Sequence, residues 1–104
     1  MLNAKFVKTT HGQAKKHIIL SNDETSSKLT QLAVGIVTKN DDIPIHSHSS
    51  MNEYYYFLEG NCSFVVDNNI VECNPSDFIE IPSKSFHTIK TNNTVKFLYW
   101  GIAL

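Results

Sequence analysis

The chain has 104 residues, of which 41% are hydrophobic and 18% are charged, so it has the length and composition of one globular domain. The net charge is −1 with histidine neutral, and this balance gives no reason to expect nucleic-acid binding. All nine basic residues are lysines, which excludes bidentate guanidinium recognition of a carboxylate or phosphate.

The first 28 residues are predicted to form edge strands and a loop. Phe6 and the run His17–Leu20 favour short strands, and Ser21–Ser27 is a polar loop. The opening residues 1–13 lack the apolar core of a secretory signal, and no run of about 18 apolar residues follows. We therefore expect a cytoplasmic protein that does not enter a membrane.

The lysine-rich run Lys15-Lys16-His17 lies within this first segment. It is either a solvated face or a contact for an anion. Because the chain has no arginine, an anionic ligand would need a lysine, backbone amides or a metal ion. The composition thus favours uncharged sugars, diketones or phenolic compounds as ligands over sugar phosphates.

Residues 29–104 alternate between short β-forming runs and turn residues, which is typical of an all-β barrel or sandwich. Helical periodicity is weak throughout. We expect a single domain over residues 1–104 with its barrel over 29–104. The predicted strands are Leu29–Lys39, Ile43–His48, Glu53–Glu59, Asn61–Asp67, Ile70–Cys73, Phe78–Ile81, Phe86–Lys90 and Thr94–Leu104.

The fourth and fifth of these strands are predicted to form a hairpin with Asn68-Asn69 at its tip, because asparagine tolerates the positive φ of a tight turn. In that register Cys62 and Cys73 share a face without lying directly opposite each other. We interpret them as buried thiols, and a disulfide or a reactive role is the alternative. Two cysteines do not form a disulfide framework in the cytoplasm.

The last strand is apolar on both faces. Val95 and Phe97 alternate with Leu98 and Trp100, whereas a strand with one solvated face would carry polar residues there. Either the N-terminal segment or a second subunit must cover the outer face. We expect a homodimer.

Two histidines two residues apart, His46 and His48, carry the strongest chemical signal. In an extended chain both side chains point to the same side, where they can bind one cation. Glu53 follows after a short connection, and His87 lies near the start of a later strand. Three imidazoles and one carboxylate suit Zn, Fe, Mn, Ni, Co or Cu better than Ca or Mg.

The spacing of these residues resembles the motifs of the cupin family. The pattern His46-x-His48-x4-Glu53-x6-Gly60 is similar to the first cupin motif at each named position. The later pattern Pro82-x-Lys84-x2-His87 is similar to part of the second motif. The resemblance covers about half of the chain.

Four motif positions carry other residues in this chain. Asn40 and Ser76 stand where the two motifs normally open with glycine, and Lys84 stands where glycine follows the proline. Thr91 replaces a closing asparagine. Asparagine and serine are plausible substitutes at turns, whereas Lys84 implies unusual backbone geometry or a place at the rim of the pocket.

The resemblance implies a cupin-type double-stranded β-helix, or jelly-roll barrel, with a divalent transition metal bound by His46, His48, Glu53 and His87. If Glu53 does not bind the metal, it is a possible general base. A cupin resemblance does not specify a reaction, because the family includes isomerases, epimerases, dioxygenases, decarboxylases and binding modules.

The walls around the metal are expected to be apolar and aromatic, as in many small-molecule sites. This favours a metalloenzyme acting on an oxygen-bearing small molecule, of isomerase/epimerase or dioxygenase type. The alternative is a non-catalytic small-molecule or sugar-binding module. The predicted pocket residues are Tyr55, Phe57, Ile89, Phe97 and Tyr99, and the other predicted inward-facing residues are Leu32, Val34, Ile36, Ile79 and Ile81.

Overall fold

Nine β-strands run through the residues that the computed structural model describes, 5–8 and 15–104. A short 3-10 helix, Asn22–Glu24, lies within the predicted polar loop. In chain order the strands are β1 (Lys5–Lys8), β2 (Lys15–Ser21), β3 (Leu29–Thr38), β4 (Met51–Glu59), β5 (Cys62–Val66), β6 (Asn69–Cys73), β7 (Phe78–Ile81), β8 (His87–Lys90) and β9 (Thr94–Ala103).

The strands form two antiparallel sheets. The larger has the order β1-β2-β3-β9-β4-β7, and the smaller has the order β6-β5-β8. This architecture confirms the all-β prediction. Among the described residues, no helix is long and apolar enough to cross a bilayer.

One predicted strand, Ile43–His48, is wrong as a regular strand. This segment is irregular apart from an isolated bridge between His46 and His87. Pro44 has no N–H to donate to a ladder, which disfavours continuous pairing here. The bridge nevertheless fixes the histidine pair beside β8.

The core lies between the two sheets and is rich in aromatic side chains. Phe57, Phe64 and Val95 are at most 1% exposed. Phe57 and Phe64 come from different sheets, and their ring centroids are 6.1 Å apart. Burying such large apolar side chains between two faces is the main stabilising contribution in a barrel of this size.

The inward face of β3 differs from the prediction. Its buried positions are Ala33, Gly35 and Val37, whereas the predicted set of Leu32, Val34 and Ile36 is only half-buried. Gly35 pairs with Phe97, whose ring covers it so closely that an added Cβ would lie 2.6 Å from the ring Cζ. The inward face of β3 therefore requires a small residue opposite Phe97, whereas the prediction placed the larger residues of the strand on that face.

The outer face of the large sheet carries a cluster of stacked aromatic side chains. Tyr54 stacks on Trp100 with ring centroids 5.8 Å apart, and on Phe78 at 6.0 Å. Strands β1 and β2 continue the sheet beyond β3 and so lie beside this cluster rather than over it. The sequence left two candidates to cover this face, the N-terminal segment or a second subunit. The described N-terminal strands do not cover the aromatic cluster.

The tip of the β5–β6 hairpin is displaced by one residue from the prediction. Asp67 and Asn68 form the turn, with φ values of 47° and 71°, and Asn69 is already the first residue of β6. As a result Cys62 pairs directly with Cys73, which corrects the expected offset between them. Both cysteines are buried and free, as expected.

Candidate metal centre

Backbone hydrogen bonds hold the irregular histidine segment against β8. The His46 N–H donates to the His87 carbonyl at 3.0 Å, and the His87 N–H donates to the His46 carbonyl at 2.8 Å. The Lys84 N–H donates to the His48 carbonyl at 2.6 Å. Glu53 reaches the same place from β4, in the other sheet. Two sheets and one connecting segment therefore supply the four side chains.

The structure brings all four predicted ligands together. One nitrogen from each of His46, His48 and His87 and one Glu53 oxygen lie within 4.8 Å of one another. Glu53 Oε1 is 3.0 Å from His87 Nε2 and 3.4 Å from His48 Nε2. Glu53 is only 6% exposed, so its carboxylate is enclosed by these imidazoles.

These separations suit a shared divalent ion. Ligands about 2.1 Å from a metal lie about 3.0 Å apart at a right angle and about 3.4 Å apart at a tetrahedral angle. The contacts of Glu53 with His87 and His48 have these lengths. Ligands on opposite sides of the ion would be about 4.2 Å apart, so small side-chain shifts would close the cluster.

The imidazole hydrogen bonds leave the correct nitrogens for a metal. The His46 Nδ1–H donates to the Pro44 carbonyl at 2.9 Å, and the His87 Nδ1–H donates to the Ser85 carbonyl at 3.0 Å. In the neutral rings Nε2 then carries the lone pair, as a metal ligand requires. His87 Nε2 lies 3.0 Å from Glu53 Oε1, a hydrogen-bond contact in which a bound metal ion would replace the proton. Together, these four side chains could hold a metal ion.

The local environment also favours the protonation states of metal ligands. Burial lowers the pKa of His46, which keeps this imidazole neutral. Burial acts to raise the pKa of Glu53, but the hydrogen bond with His87 and the nearby histidine charges outweigh it and lower that pKa. The carboxylate is therefore held in its ionised, ligating form.

Tyr55 adds a second contact to this carboxylate. Burial and the charge of Glu53 hold the pKa of Tyr55 well above its usual value, so its hydroxyl stays protonated. That hydroxyl donates to Glu53 Oε1 at 3.4 Å. Tyr55 is therefore positioned to orient the carboxylate.

A cavity of about 140 Å³ faces the four donor side chains. Four of the five predicted pocket residues line it: Tyr55, Ile89, Phe97 and Tyr99. Phe57 does not, because its ring is fully buried in the core instead. Four of the five predicted positions thus lie in the wall of an apolar, aromatic cavity.

Sequence reasoning missed several polar and flexible residues of the wall. Gln31, Met51 and Thr88 line the cavity, and nothing in their sequence spacing distinguishes them from other strand residues. Lys16 also lines it, and the run Lys15-Lys16-His17 was its one available signal. The anion-contact alternative for this run thus gains a structural basis.

Two of the departures from the cupin motifs adopt the backbone conformation that glycine favours. Ser76 has φ 75° and Lys84 has φ 71°, close to the φ of 73° at the retained Gly60. The unusual geometry expected at Lys84 is confirmed. This conformation also allows the Lys84 N–H to reach the His48 carbonyl.

Comparison with known proteins agrees with this fold and site. The model of the cupin domain family matches residues 33–101, inside the predicted barrel. An uncharacterised protein of Methanocaldococcus jannaschii is 29% identical, over 91% of this chain and 83% of that protein. Quercetin 2,3-dioxygenase of Bacillus subtilis is 31% identical over 55 residues, which are 53% of this chain and 16% of the enzyme.

Among solved structures, a predicted oxalate decarboxylase of Thermotoga maritima superposes with a TM-score of 0.84. The match covers 99% of this chain and 94% of that one at 21% identity, which is evidence for the fold alone. The family match, by contrast, includes all four side chains of the metal cluster. The chain therefore belongs to the cupin domain family.

Proposed function

We propose that this protein is a metalloenzyme in which His46, His48, Glu53 and His87 bind a divalent transition metal that acts on an oxygen-bearing small molecule. The observation that carries the proposal is the cavity that opens onto all four donor side chains. Structural metal sites are closed by protein on every side, whereas catalytic sites keep a position for water or substrate. When bound, the metal would supply Lewis acidity, and also redox chemistry if it is redox-active.

The protein's own residues would bind the substrate and keep water away from it. Burial and the charge of Glu53 raise the pKa of Tyr99 to about 12, so this wall residue stays a neutral hydrogen-bond donor. Phe97 and Ile89 supply apolar surface on the same wall. A small molecule in this cavity would thus have few polar contacts apart from the metal, which favours one orientation.

Glu53 acts as a metal ligand in this proposal rather than as a general base. Its Oε1 lies close to two imidazole nitrogens and accepts a hydrogen bond from Tyr55. Both contacts hold the oxygen inside the donor cluster. A free base would need its oxygen directed at the substrate.

The dioxygenase type gains support from the similarity to quercetin 2,3-dioxygenase, which includes about half of this chain. The chain spans about one sixth of that enzyme, so its substrate is not transferred here. The isomerase/epimerase type rests on the family resemblance alone. A non-catalytic binding module is the alternative.

The first experiment measures metal content by elemental analysis of protein purified without added metal. We expect about one transition-metal ion per chain, lost in His46→Ala and retained in Asn69→Ala, a matched change at an exposed strand residue. The metal-loaded protein is then given catechol or 2,4-pentanedione while oxygen uptake is recorded. Oxygen uptake with formation of a new product supports the dioxygenase type. Saturable binding without any product supports the binding module. If purified wild type contains no metal, the metal centre is refuted.

We also propose that two copies of the chain pair through the outer aromatic cluster of Tyr54, Phe78 and Trp100. Phe78 is 54% exposed although it belongs to this stack. Leu98, which pairs with Val34 in the same sheet, extends the apolar face. A two-fold interface joins identical surfaces, and this aromatic surface can match itself with its nearest carboxylate, Glu80, on the edge strand β7 opposite Tyr54. The cytoplasmic location stays a prediction.

A further inference from the structure

Lys16 lies on the inward face of the large sheet, at the wall of the metal cavity. In β2 it pairs with Gly35, one of the buried positions of β3. Gly35 in turn pairs with Phe97, another residue of the cavity wall. The Lys16 side chain is half-buried, so it contributes both an aliphatic stem and an ammonium group to this side of the cavity.

No protein carboxylate balances this ammonium group in the described structure. All ten acidic residues fall in the described ranges 5–8 and 15–104. In these ranges Lys96 forms an ion pair with Glu59. The two ion pairs of Glu53 are with histidines. Lys16 is thus a lysine at an apolar wall without a carboxylate within ion-pair distance.

The cavity therefore has an excess of positive charge once a metal is bound. Among the described residues of the wall, Lys16 is the single lysine and Glu53 the single carboxylate. A divalent ion and Lys16 against one carboxylate leave about two positive charges next to aromatic walls. Charges in such surroundings are unfavourable unless an opposite charge or hydrogen bonds balance them.

We propose that Lys16 binds one carboxylate of a ligand whose second carboxylate faces the metal, so that the substrate is a small dicarboxylate. This inference rests on the proposed metal centre. It revises the preference for uncharged ligands drawn from the absence of arginine, because one lysine at the wall supplies the charge. Gln31 also lines the cavity and adds an amide that can donate to the ligand.

The dimensions of the site limit the ligand further. Lys16 is on β2 and Glu53 is on β4, and two strands, β3 and β9, separate them in the sheet. The two oxygen groups must therefore lie at opposite ends of the ligand. A cavity of about 140 Å³ is close to the size that holds benzene in other proteins, so about six to eight non-hydrogen atoms fit. A four-carbon dicarboxylate meets both conditions.

The test compares succinate with succinamate, which has the same number of non-hydrogen atoms but an amide in place of one carboxylate. Binding of each probe to the zinc-loaded protein is measured by titration calorimetry. The variants are Lys16→Met, which keeps the length of the side chain, and Lys16→Arg, which keeps its charge. Lys90→Met is the matched control, because Lys90 is exposed at the end of β8 and does not line the cavity.

We expect wild type, Lys16→Arg and Lys90→Met to bind succinate about tenfold more tightly than succinamate, as a charge-assisted hydrogen bond at a half-buried site would give. Lys16→Met should bind both probes about equally while its zinc content and succinamate affinity stay unchanged. If Lys16→Met prefers succinate over succinamate as strongly as wild type does, the inference is overturned. It is also overturned if zinc-loaded wild type binds the two probes equally or binds neither of them. If the wild-type protein does not take up zinc, the proposed metal centre itself is refuted.

Discussion

Glu53→Gln is the most direct test of the carboxylate in the metal cluster. Glutamine keeps the volume of the side chain, so the core of β4 is undisturbed, but it removes the charge that faces His87 and His48. Removing one partner from a buried charged contact costs about 3 kcal/mol or more. For metal binding this corresponds to a Kd about 100-fold higher or more.

The effect is measured as the rise in Tm when zinc is added. At a zinc concentration of about 100 times the wild-type Kd, binding stabilises the fold by about 2.7 kcal/mol. For a domain of about 100 residues this raises Tm by about 11–22 °C. At the same concentration the variant is only about half saturated, which adds about 0.4 kcal/mol and about 2–3 °C.

Each variant is compared with its own metal-free form, so a change in its intrinsic stability does not affect the result. Glu72→Gln is the control, because this exposed carboxylate contacts Ser63 at 2.8 Å and lies outside the cluster. It should keep the full rise in Tm. A rise in Glu53→Gln as large as in wild type would refute the assignment of Glu53 as a ligand.

Three further results are expected. Gly60→Ala should lower the free energy of unfolding by about 2 kcal/mol or more in urea, because φ is 73° and the new Cβ would clash with the Thr94 backbone; an unchanged midpoint would contradict this. Burial raises the pKa of the Cys62 thiol to about 12, so only about one molecule in 10,000 carries the thiolate at pH 8, and a thiol reagent should label the unfolded but not the native protein. Rapid labelling of the native protein would show that the thiol is accessible. Trp100→Lys should shift the protein to monomer in sedimentation at micromolar concentration, whereas Phe86→Lys, a change at an exposed residue between β7 and β8, should leave a dimer; monomeric wild type would rule out the outer interface.

The metal cluster could be predicted from the sequence because the positions of its members carry strong local information. His46 and His48 share a side in any extended backbone, and this holds even though their segment is not a regular strand. The spacing to Glu53 matches a known family motif. For these residues, local geometry and family resemblance agree.

The inward face of β3 could not be predicted in this way. Alternation separates Leu32, Val34 and Ile36 from Ala33, Gly35 and Val37 but does not say which set faces the core. Apolar residues occupy both faces of this strand, so the size of the side chains was a poor guide to the inward face. The space taken by the Phe97 ring decides the question, and that depends on a strand more than 50 residues away.

The hairpin register and the place of Lys16 have the same limitation. Asp67, Asn68 and Asn69 are all turn formers, so two positions of the tip were possible, and a shift of the tip by one residue moves the pairing by two. That shift brings Cys62 opposite Cys73. Lys16 reaches the cavity only because β2 pairs with β3, a long-range contact that no local pattern reveals.

The four donors come from both sheets and from the segment beside β8: Glu53 belongs to the large sheet, His87 to the small one, and the two remaining histidines to the irregular segment. An ion shared by these residues would act as a cross-link at one mouth of the barrel, while the opposite end depends on the hydrophobic core. Loading and unloading of the ion would then change the local opening of one end far more than that of the other. Amide exchange rates near β8 would therefore report occupancy of the centre even when the global stability changes little.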